Sequence, residues 1–225
     1  MARTNEELVR ELIKSGHLKT PRIIEAFRSV DRADFVPDDI KERAYNNEPL
    51  PIGFEQTISQ PLTVAFMLEL LQPEENEAII DIGSGSGWQT ALLAYIAGRN
   101  VLDLEEPVIE TKIVALERIS ELEKFARKNL EKYKLIEKGI VELAVSDAIA
   151  GVPEELMSRY GFNKIISAAS GSEIPLIWKR QLAVNGRIVA PVGETIVVID
   201  KLSNENYKTE EYHGFRFVSL QSGVA

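Results

Sequence analysis

The sequence predicts an α/β protein, a Rossmann-like fold with a mostly parallel, doubly wound sheet, and three observations support this. Short apolar stretches alternate with longer stretches that have the 3.6-residue periodicity of amphipathic helices. A glycine-rich turn joins one apolar stretch to a helix at residues 79–97. With 225 residues, 44% of them hydrophobic, the chain is long enough for one large core. We therefore expect a single domain, residues 1–225.

Three parts of that domain are expected. Residues 76–200 carry the alternating strands and helices and form the core. Residues 1–75 precede this alternation and form a helical and irregular addition that lies across the ligand end of the sheet and covers the substrate. Residues 201–225 form a C-terminal strand region.

The N-terminal addition begins with two predicted helices, at residues 5–14 and 21–30. Each places its apolar residues on one helical face, and Thr4 or Asn5 caps the first. Residues 31–58 mix prolines and Gly53 with polar and apolar residues, which predicts an ordered covering segment without regular structure. Pro61, at a first-turn position, then starts a buried helix that reaches Leu71.

The core alternates strands and helices. After the strand Ile79 to Ile82 and the helix Trp88 to Ala97, the expected strands are 112–116, 140–145, 164–169 and 187–192. Helices are predicted from Ser120, with a capping box, and near residues 153–160 and 175–183. Residues 196–202 and 215–220 are expected to pair antiparallel, because no helix fits between them. Residues 98–111 exceed the usual connection of about 2–6 residues and predict an insertion, either a surface loop or a contact with a second subunit.

The amino-acid composition argues against several classes of protein. The chain has no cysteine and only two histidines, so we exclude disulfides, thiolate metal sites and cysteine nucleophiles, and expect no metal. A net charge of −9 provides no basic face, so we expect no nucleic-acid partner. No apolar run approaches the roughly 20 residues of a membrane span, and no signal-peptide core is present. We therefore expect a cytoplasmic protein that does not bind membranes. We also expect a monomer.

The stretch with the clearest chemistry is Asp81-Ile82-Gly83-Ser84-Gly85-Ser86-Gly87. Glycine permits a sharp turn whose backbone approaches a ligand closely, with the free N–H groups of the next helix facing it. The G-x-G-x-G spacing differs from that of dinucleotide binders, and the P-loop lysine is absent. A glycine-rich loop by itself is a simple turn about as often as it is a ligand site. With its acidic residue two positions before the first glycine, however, this stretch resembles the first motif of class I S-adenosylmethionine (SAM) methyltransferases.

Two further acidic residues end predicted strands, where open parallel sheets bind their ligands. Glu117 suits a ribose, from which it would accept two hydrogen bonds, or it is a solvated carboxylate beside Arg118. Asp147 suits an adenine amino group, or it caps the turn that follows it. The residues alone leave both alternatives open.

A more specific resemblance comes from residues 49–61, PLPIGFEQTISQP, taken together with the glycine-rich stretch. Both resemble the protein-L-isoaspartate O-methyltransferase family. Shorter similarities spread the resemblance over residues 20–195 and lie at Phe35-Val36-Pro37, Val114 to Arg118, Glu173-Ile174-Pro175 and Gly186 to Gly193.

The resemblance implies a SAM-dependent enzyme that esterifies the α-carboxylate of L-isoaspartyl residues in damaged proteins and peptides. The ester then cyclises to a succinimide, whose hydrolysis returns some aspartate, so esterification initiates repair. The resemblance also implies the site residues. Thr57, Ile58 and Ser59 bind the substrate, with Ser59 as the active-site serine. The cofactor is bound by Asp81, Gly83, Ser84, Gly85, Gly87, Glu117 (ribose) and Asp147 with Ala148 (adenine).

The chemistry of Ser59 has two interpretations. A substrate carboxylate is already an anion at neutral pH and needs no general base, and no motif supplies a histidine beside Ser59. We therefore expect its hydroxyl to hold the carboxylate by a hydrogen bond and not to act as a nucleophile. Alternatively, Ser59 caps the helix that starts at Pro61.

Three positions depart from the family pattern, at Asn163, Ser170-Gly171 and Val218-Ser219-Leu220. The last two leave room for a related methyltransferase that acts on aspartate of a dedicated peptide. A SAM-binding module without turnover is the remaining alternative.

Overall fold

The computed structural model describes residues 3–99 and 112–225. The predicted insertion at 98–111 therefore lies, apart from its first two residues, outside the described part of the chain. The N-terminal elements are the helices α1 (Asn5–Lys14), α2 (Pro21–Ser29) and α3 (Pro61–Leu71). Thr4 caps α1 in a capping box with Glu7, and Pro21 and Pro61 stand in the first turns of their helices, as predicted.

The segment between α2 and α3 has more regular structure than the sequence predicted. It contains the 3₁₀ helices Arg32–Phe35 and Asp38–Arg43 and a hairpin of β1 (Leu50–Gly53) and β2 (Gln56–Ile58). Phe54 and Glu55 form the hairpin turn with φ of 52° and 58°. Two-residue hairpins need such positive φ values, which Asn-Gly usually supplies. Because this turn has neither residue, the hairpin left no signal in the sequence.

The core is a seven-stranded sheet flanked by helices. In chain order the remaining elements are β3 (Ala78–Ile82), α4 (Trp88–Ala97), β4 (Lys112–Glu117), α5 (Ser120–Glu131), β5 (Val141–Val145), β6 (Phe162–Ser167), β7 (Ala169–Ser170), α6 (Leu176–Gln181), β8 (Leu182–Val192), β9 (Thr195–Lys201), β10 (Tyr207–His213) and β11 (Val218–Ser219). The sheet order is β10-β9-β8-β6-β3-β4-β5. Strands β5, β4, β3, β6 and β8 are parallel, and β9 and β10 are antiparallel to their neighbours. This is the predicted mostly parallel sheet with an antiparallel pair.

The antiparallel pair uses a different second strand from the one predicted. Residues 207–213 pair with β9, whereas residues 215–220 contribute only β11, which pairs in parallel with β7. Strand β10 lies at the sheet edge with nearly all its residues exposed. An exposed edge strand needs no apolar alternation, so its polar sequence has the pattern of a loop.

One predicted helix and one predicted helix cap were wrong. Residues 153–160 form only the 3₁₀ helix Glu154–Leu156. Helix α5 starts at Ser120 as predicted, but its N-cap is Ile119 and the predicted side-chain cap from Ser120 is absent. The hydroxyl of Ser120 donates instead to the neighbouring Glu121. The backbone N–H of Ile119 donates to the carboxylate of Glu117, so the strand before α5 supplies a hydrogen bond at its start.

The N-terminal helices pack on α4, which follows the glycine turn. Residues of α1, α2, α4 and the sheet belong to one hydrophobic cluster, in which Phe27 meets Trp88 edge-to-face at 5.5 Å between ring centroids. Helix α4 is apolar nearly all round and almost wholly buried, as expected for a helix covered on both sides. In the described part of the chain, no helix is long and apolar enough to cross a membrane.

Candidate active site

A pocket opens at the carboxyl ends of the central parallel strands, where open α/β sheets bind ligands. It encloses about 660 Å³ of empty space, including the part open to solvent. The strand ends supply its floor, and the hairpin and the C-terminal segment cover it. The lining residues used below are Ile52, Gln56, Thr57, Gly83, Gly85, Glu117, Ile119, Leu122, Ala148, Ala168 and Val218 to Gln221.

The glycine turn forms one edge of this pocket. The N–H groups of Gly83 and Ser84 donate to the carbonyl of Leu116 at 2.8 and 3.2 Å, which fixes the turn over the end of β4. Gly85 has φ of +54°, and a Cβ placed on it would approach Ile52 of the hairpin at 3.3 Å. Any side chain at residue 85 would therefore occupy space between the turn and its cover.

Gly87 has a packing role in addition to the predicted one. A Cβ at this residue would lie 3.3 Å from Ala126 and 3.3 Å from Leu130, both in α5. The missing side chain thus lets α5 pack against the start of α4. The predicted cofactor contact of Gly87 stays a prediction.

Glu117 lies at the pocket floor and is almost fully buried, at 5% exposed. Its Oε1 accepts hydrogen bonds from the N–H groups of Arg118 and Ile119, and its Oε2 accepts one from Gly85 at 2.9 Å. The alternative of a solvated carboxylate is therefore wrong. A carboxylate accepts about four hydrogen bonds, so this arrangement leaves capacity for one more, not for the two that we predicted from a ribose.

Asp147 and Ala148 follow β5, and of the two only Ala148 lines the pocket. Asp147 Oδ1 caps the N–H of Ile149 at 2.9 Å, and Oδ2 accepts the N–H of Gly223 at 2.7 Å. The capping alternative therefore describes this side chain, which also fastens the C-terminal segment. Ala148 lines the pocket beside it. The predicted adenine contact of these two residues stays a prediction.

Asp81 is fully buried behind the glycine turn. Its carboxylate accepts hydrogen bonds from Gln89 at 2.7 Å and Thr90 at 2.5 Å, and so ties β3 to the first turn of α4. Burial raises its pKa to about 6, and the nearby Glu117 adds to this rise, while the two hydrogen bonds oppose it. Asp81 positions the turn, and its predicted direct contact with a cofactor stays a prediction.

Two further cavities adjoin the pocket. A small one lies between the hairpin strand β2 and the glycine turn, and Ile58, Ser59, Gly83, Ser84, Gly85 and Trp88 line it. Within the described chain, the buried hydroxyl of Ser84 has no hydrogen-bond partner. A groove open to solvent lies beyond it, lined by Pro49, Ser59, Gln60, Arg216 and Phe217. Thr57 and Ala168 line all three spaces, so the three spaces meet at these two residues.

Ser59 is not a helix cap. The N-cap of α3 is Gln60, and the N–H of Leu62 in its first turn is capped by the side chain of Asn47 at 3.0 Å. The Ser59 hydroxyl has no partner among the described residues, and Ser59 lines both the small cavity and the outer groove. Its hydroxyl is therefore free to bind a ligand at the junction of the two.

Sequence reasoning missed several residues of the site. Ile52 and Gln56 belong to the segment that carried the family resemblance, but only a hairpin brings them over the pocket. The C-terminal residues Val218 to Gln221 form the opposite wall. They reach it because β11 pairs with β7, a contact across about 50 residues of sequence that no local pattern indicates.

Comparisons with known proteins agree with this architecture. The model of the protein-L-isoaspartate(D-aspartate) O-methyltransferase family matches residues 3–225. A protein-L-isoaspartate O-methyltransferase of Staphylothermus marinus is 37% identical over 213 residues, covering 93% of this chain and 90% of that protein. Its counterpart in Aeropyrum pernix is 39% identical over 198 residues, covering 86% of this chain and 70% of that protein.

A solved structure gives the same result. The Plasmodium falciparum protein described as a protein-L-isoaspartate O-methyltransferase, in complex with S-adenosyl-L-homocysteine, matches with a TM-score of 0.83 and 26% identity. The match covers 97% of this chain and 99% of that one. On the family match and these identities, the chain belongs to the protein-L-isoaspartate(D-aspartate) O-methyltransferase family.

Proposed function

We propose that this protein transfers a methyl group from SAM to the α-carboxylate of L-isoaspartyl residues in damaged proteins and peptides, the step that initiates their repair. Family membership supports the reaction. The observation that carries the proposal for this chain is that its three cavities adjoin one another at Thr57 and Ala168. A cofactor in the strand-end pocket and a peptide in the outer groove would meet at the small cavity beside Ser59.

The residues at the strand-end pocket and the small cavity beside it fit SAM. Gly83 and Gly85 line both spaces, and a Cβ on Gly85 would press on Ile52 at 3.3 Å. The buried hydroxyl of Ser84, in the small cavity, has no partner among the described residues, as expected where a polar ligand group completes the site. Glu117 keeps capacity for one hydrogen bond from a ribose hydroxyl. Ile119, Leu122 and Ala148 provide the apolar wall that a nucleobase requires. The Plasmodium falciparum relative holds S-adenosyl-L-homocysteine, the demethylated form of the same compound.

The reaction depends more on alignment of the reacting atoms and on exclusion of water from the site than on acid-base groups. When bound, SAM supplies an electrophilic methyl group on a positively charged sulfur. Carboxylic acids with a pKa near 4 are already ionised at neutral pH, so the acceptor needs no general base. Orientation of the reacting atoms alone contributes roughly 7–11 kcal/mol in favourable cases.

The residues of this chain supply that alignment. We assign the Ser59 hydroxyl to donate a hydrogen bond to one oxygen of the acceptor carboxylate, with Thr57 and Ile58, the last two residues of β2, beside the reacting atoms. The hairpin covers the glycine turn through Ile52, which excludes water from the reacting pair. Gly83, Ser84 and Gly85 hold the amino-acid end of the cofactor.

Methyl transfer from labelled SAM to an isoaspartyl peptide, and to its aspartyl twin, tests the proposal. We expect base-labile methyl ester on the isoaspartyl peptide only. Transfer to the aspartyl twin would favour the related enzyme of a dedicated peptide. Binding of SAM without transfer to either would favour a binding module.

We also propose that the protein acts as a monomer in the cytoplasm and does not act on nucleic acid. The net charge of −9 supports the last point, because phosphate backbones bind to basic surfaces. Sedimentation at micromolar protein, with and without added RNA, tests the monomer and the absence of nucleic-acid binding together.

A further inference from the structure

We infer that Arg32 is a positioning residue of the methyl-transfer site, which holds Ser59 and the segment before it against the start of α4; the inference rests on the proposed function. Arg32 lies in the first 3₁₀ helix, outside every cavity of the site. It touches neither the predicted substrate position nor the cofactor pocket, and its effect is exerted through the backbone that it binds.

The guanidinium of Arg32 donates hydrogen bonds to four backbone carbonyls within residues 44–59. Its Nη1 donates to the carbonyls of Ala44 at 2.6 Å and Asn46 at 3.3 Å. Its Nη2 donates to the carbonyls of Glu48 and Ser59, both at 3.0 Å. The four acceptors lie at both ends of the β1–β2 hairpin, so Arg32 closes the loop from which the hairpin projects. A planar fork with several fixed donors is suited to this geometry, whereas a lysine ammonium is not.

The flat face of the same guanidinium packs on the other half of the site. The central carbon of the group lies 5.2 Å from the centroid of the Trp88 ring, within the range of a cation–π contact. Trp88 is the first residue of α4 and follows the glycine turn directly. Arg32 therefore fixes the distance between Ser59, the residue after β2, and the turn that faces the cofactor.

Burying the positive charge of Arg32 costs free energy of folding, which is unexpected for a residue with only a packing role. Its side chain is 0% exposed, and its hydrogen bonds go to backbone carbonyls instead of a carboxylate. Burial lowers the pKa of the guanidinium to about 9, an effect that Glu48 opposes only in part. Apolar side chains of similar size often stabilise a fold as well as buried ions do. What an apolar side chain cannot do is hold four carbonyls in a fixed arrangement.

The consequence for the reaction is specific to the acceptor side. The floor of the cofactor pocket, with Glu117 and the glycine turn, is fixed by hydrogen bonds between strand ends that Arg32 does not enter. The position of Ser59 depends on the Arg32 contact to its own carbonyl. Loss of Arg32 should therefore weaken the use of the peptide more than the binding of the cofactor.

The test compares Arg32→Lys and Arg32→Met with Arg22→Met. Arg22 is a matched control, because it also belongs to the N-terminal part and donates to a backbone carbonyl, that of Pro73 at 2.7 Å, but far from the site. We expect kcat/KM for an isoaspartyl peptide to fall about 10-fold or more in Arg32→Met, while the Kd for S-adenosyl-L-homocysteine changes less than about 3-fold. Arg32→Lys should retain an intermediate kcat/KM. Arg22→Met should lose stability without this split.

Equal losses in peptide use and S-adenosyl-L-homocysteine affinity, or wild-type kcat/KM in a folded Arg32→Met, would overturn the inference. If Arg32→Met does not fold, Arg32→Lys carries the test. Amide hydrogen exchange separates this inference from the proposed function, because it needs no activity. We expect Arg32→Lys to speed amide exchange in residues 44–60 and to leave exchange in residues 78–82 unchanged. Unchanged exchange in both segments would contradict the positioning role of Arg32, whether or not the protein methylates a peptide.

Discussion

The backbone N–H of Gly85 donates to Oε2 of Glu117 at 2.9 Å, so the glycine turn and the acidic end of β4 form a single unit. The sequence presents the two as separate motifs, 32 residues apart. In the folded chain, Glu117 shapes the turn as well as the floor of the pocket. A substitution of Glu117 therefore acts on both.

Glu117→Gln tests this double role. The amide oxygen of glutamine can still accept from Arg118 and Ile119, but its NH₂ group cannot accept from Gly85 or from a ribose hydroxyl. We expect the affinity for S-adenosyl-L-homocysteine to fall by about 1–3 kcal/mol, measured by calorimetry. Glu121→Gln, at an exposed glutamate in the first turn of α5, is the control. Wild-type affinity in Glu117→Gln would remove this residue from the cofactor site.

Gly85→Val and Gly87→Ala should separate binding from stability. A side chain on Gly85 projects toward Ile52 in the space in front of the turn, and the φ of +54° strains a valine there as well. We therefore expect Gly85→Val to lose some stability and its folded fraction to lose nearly all binding of S-adenosyl-L-homocysteine. A side chain on Gly87 presses on α5, with φ of +87° adding strain. We expect Gly87→Ala to cost about 1–3 kcal/mol in urea unfolding, while the folded fraction still binds. The reverse result in calorimetry and unfolding would contradict our assignment of the two glycines.

Ser59→Ala and Asn47→Ala form a second pair. Because Asn47 and not Ser59 caps α3, Asn47→Ala should lower the free energy of unfolding by about 1 kcal/mol, and Ser59→Ala should barely change it. We expect Ser59→Ala to reduce kcat/KM for the isoaspartyl peptide about 10-fold or more, the worth of one charge-assisted hydrogen bond. Its affinity for S-adenosyl-L-homocysteine should stay near wild type. Undiminished activity at a matched folded fraction would exclude Ser59 from the acceptor site.

Asp81 should make the stability of the wild-type protein depend on pH. Its pKa is raised to about 6 in the folded chain, whereas an unfolded aspartate titrates near 4. The folded state therefore holds the proton more tightly, so the stabilisation is complete below pH of about 4 and is lost as the pH rises through about 6. Two pKa units correspond to about 3 kcal/mol.

The comparison with Asp81→Asn isolates this effect. We expect the free energy of unfolding of the wild type, relative to Asp81→Asn, to fall by about 2 kcal/mol between pH 4 and pH 7, because the unfolded aspartate is already about half ionised at pH 4. Urea unfolding of both proteins at the two pH values measures it. A difference that does not change with pH would show that the burial of Asp81 does not perturb its titration.

Much of the core could be predicted because its signals are local. Apolar stretches gave β3, β4 and β5 to within one residue at each end, and proline positions gave the starts of α2 and α3. The glycine turn and Glu117 could be placed together at one edge of the sheet, since the carboxyl ends of parallel strands meet there. The hairpin and β10 could not be predicted, because neither has the residues that usually indicate its structure.

The sequence by itself determined that a mostly parallel sheet carries a glycine turn, Glu117 and Asp147 at its ligand end, because periodicity and the alternation of strands and helices along the chain are set by neighbouring residues. The tertiary structure decided which groups at this end of the sheet are available to bind a ligand. Asn47 caps α3, so the hydroxyl of Ser59 is not used as a cap. Gly87 packs against α5, and one carboxylate oxygen of Asp147 accepts the N–H of Gly223. Each decision is a contact between residues distant in the chain, and hydrogen-bonding capacity used by one partner is no longer available to a ligand.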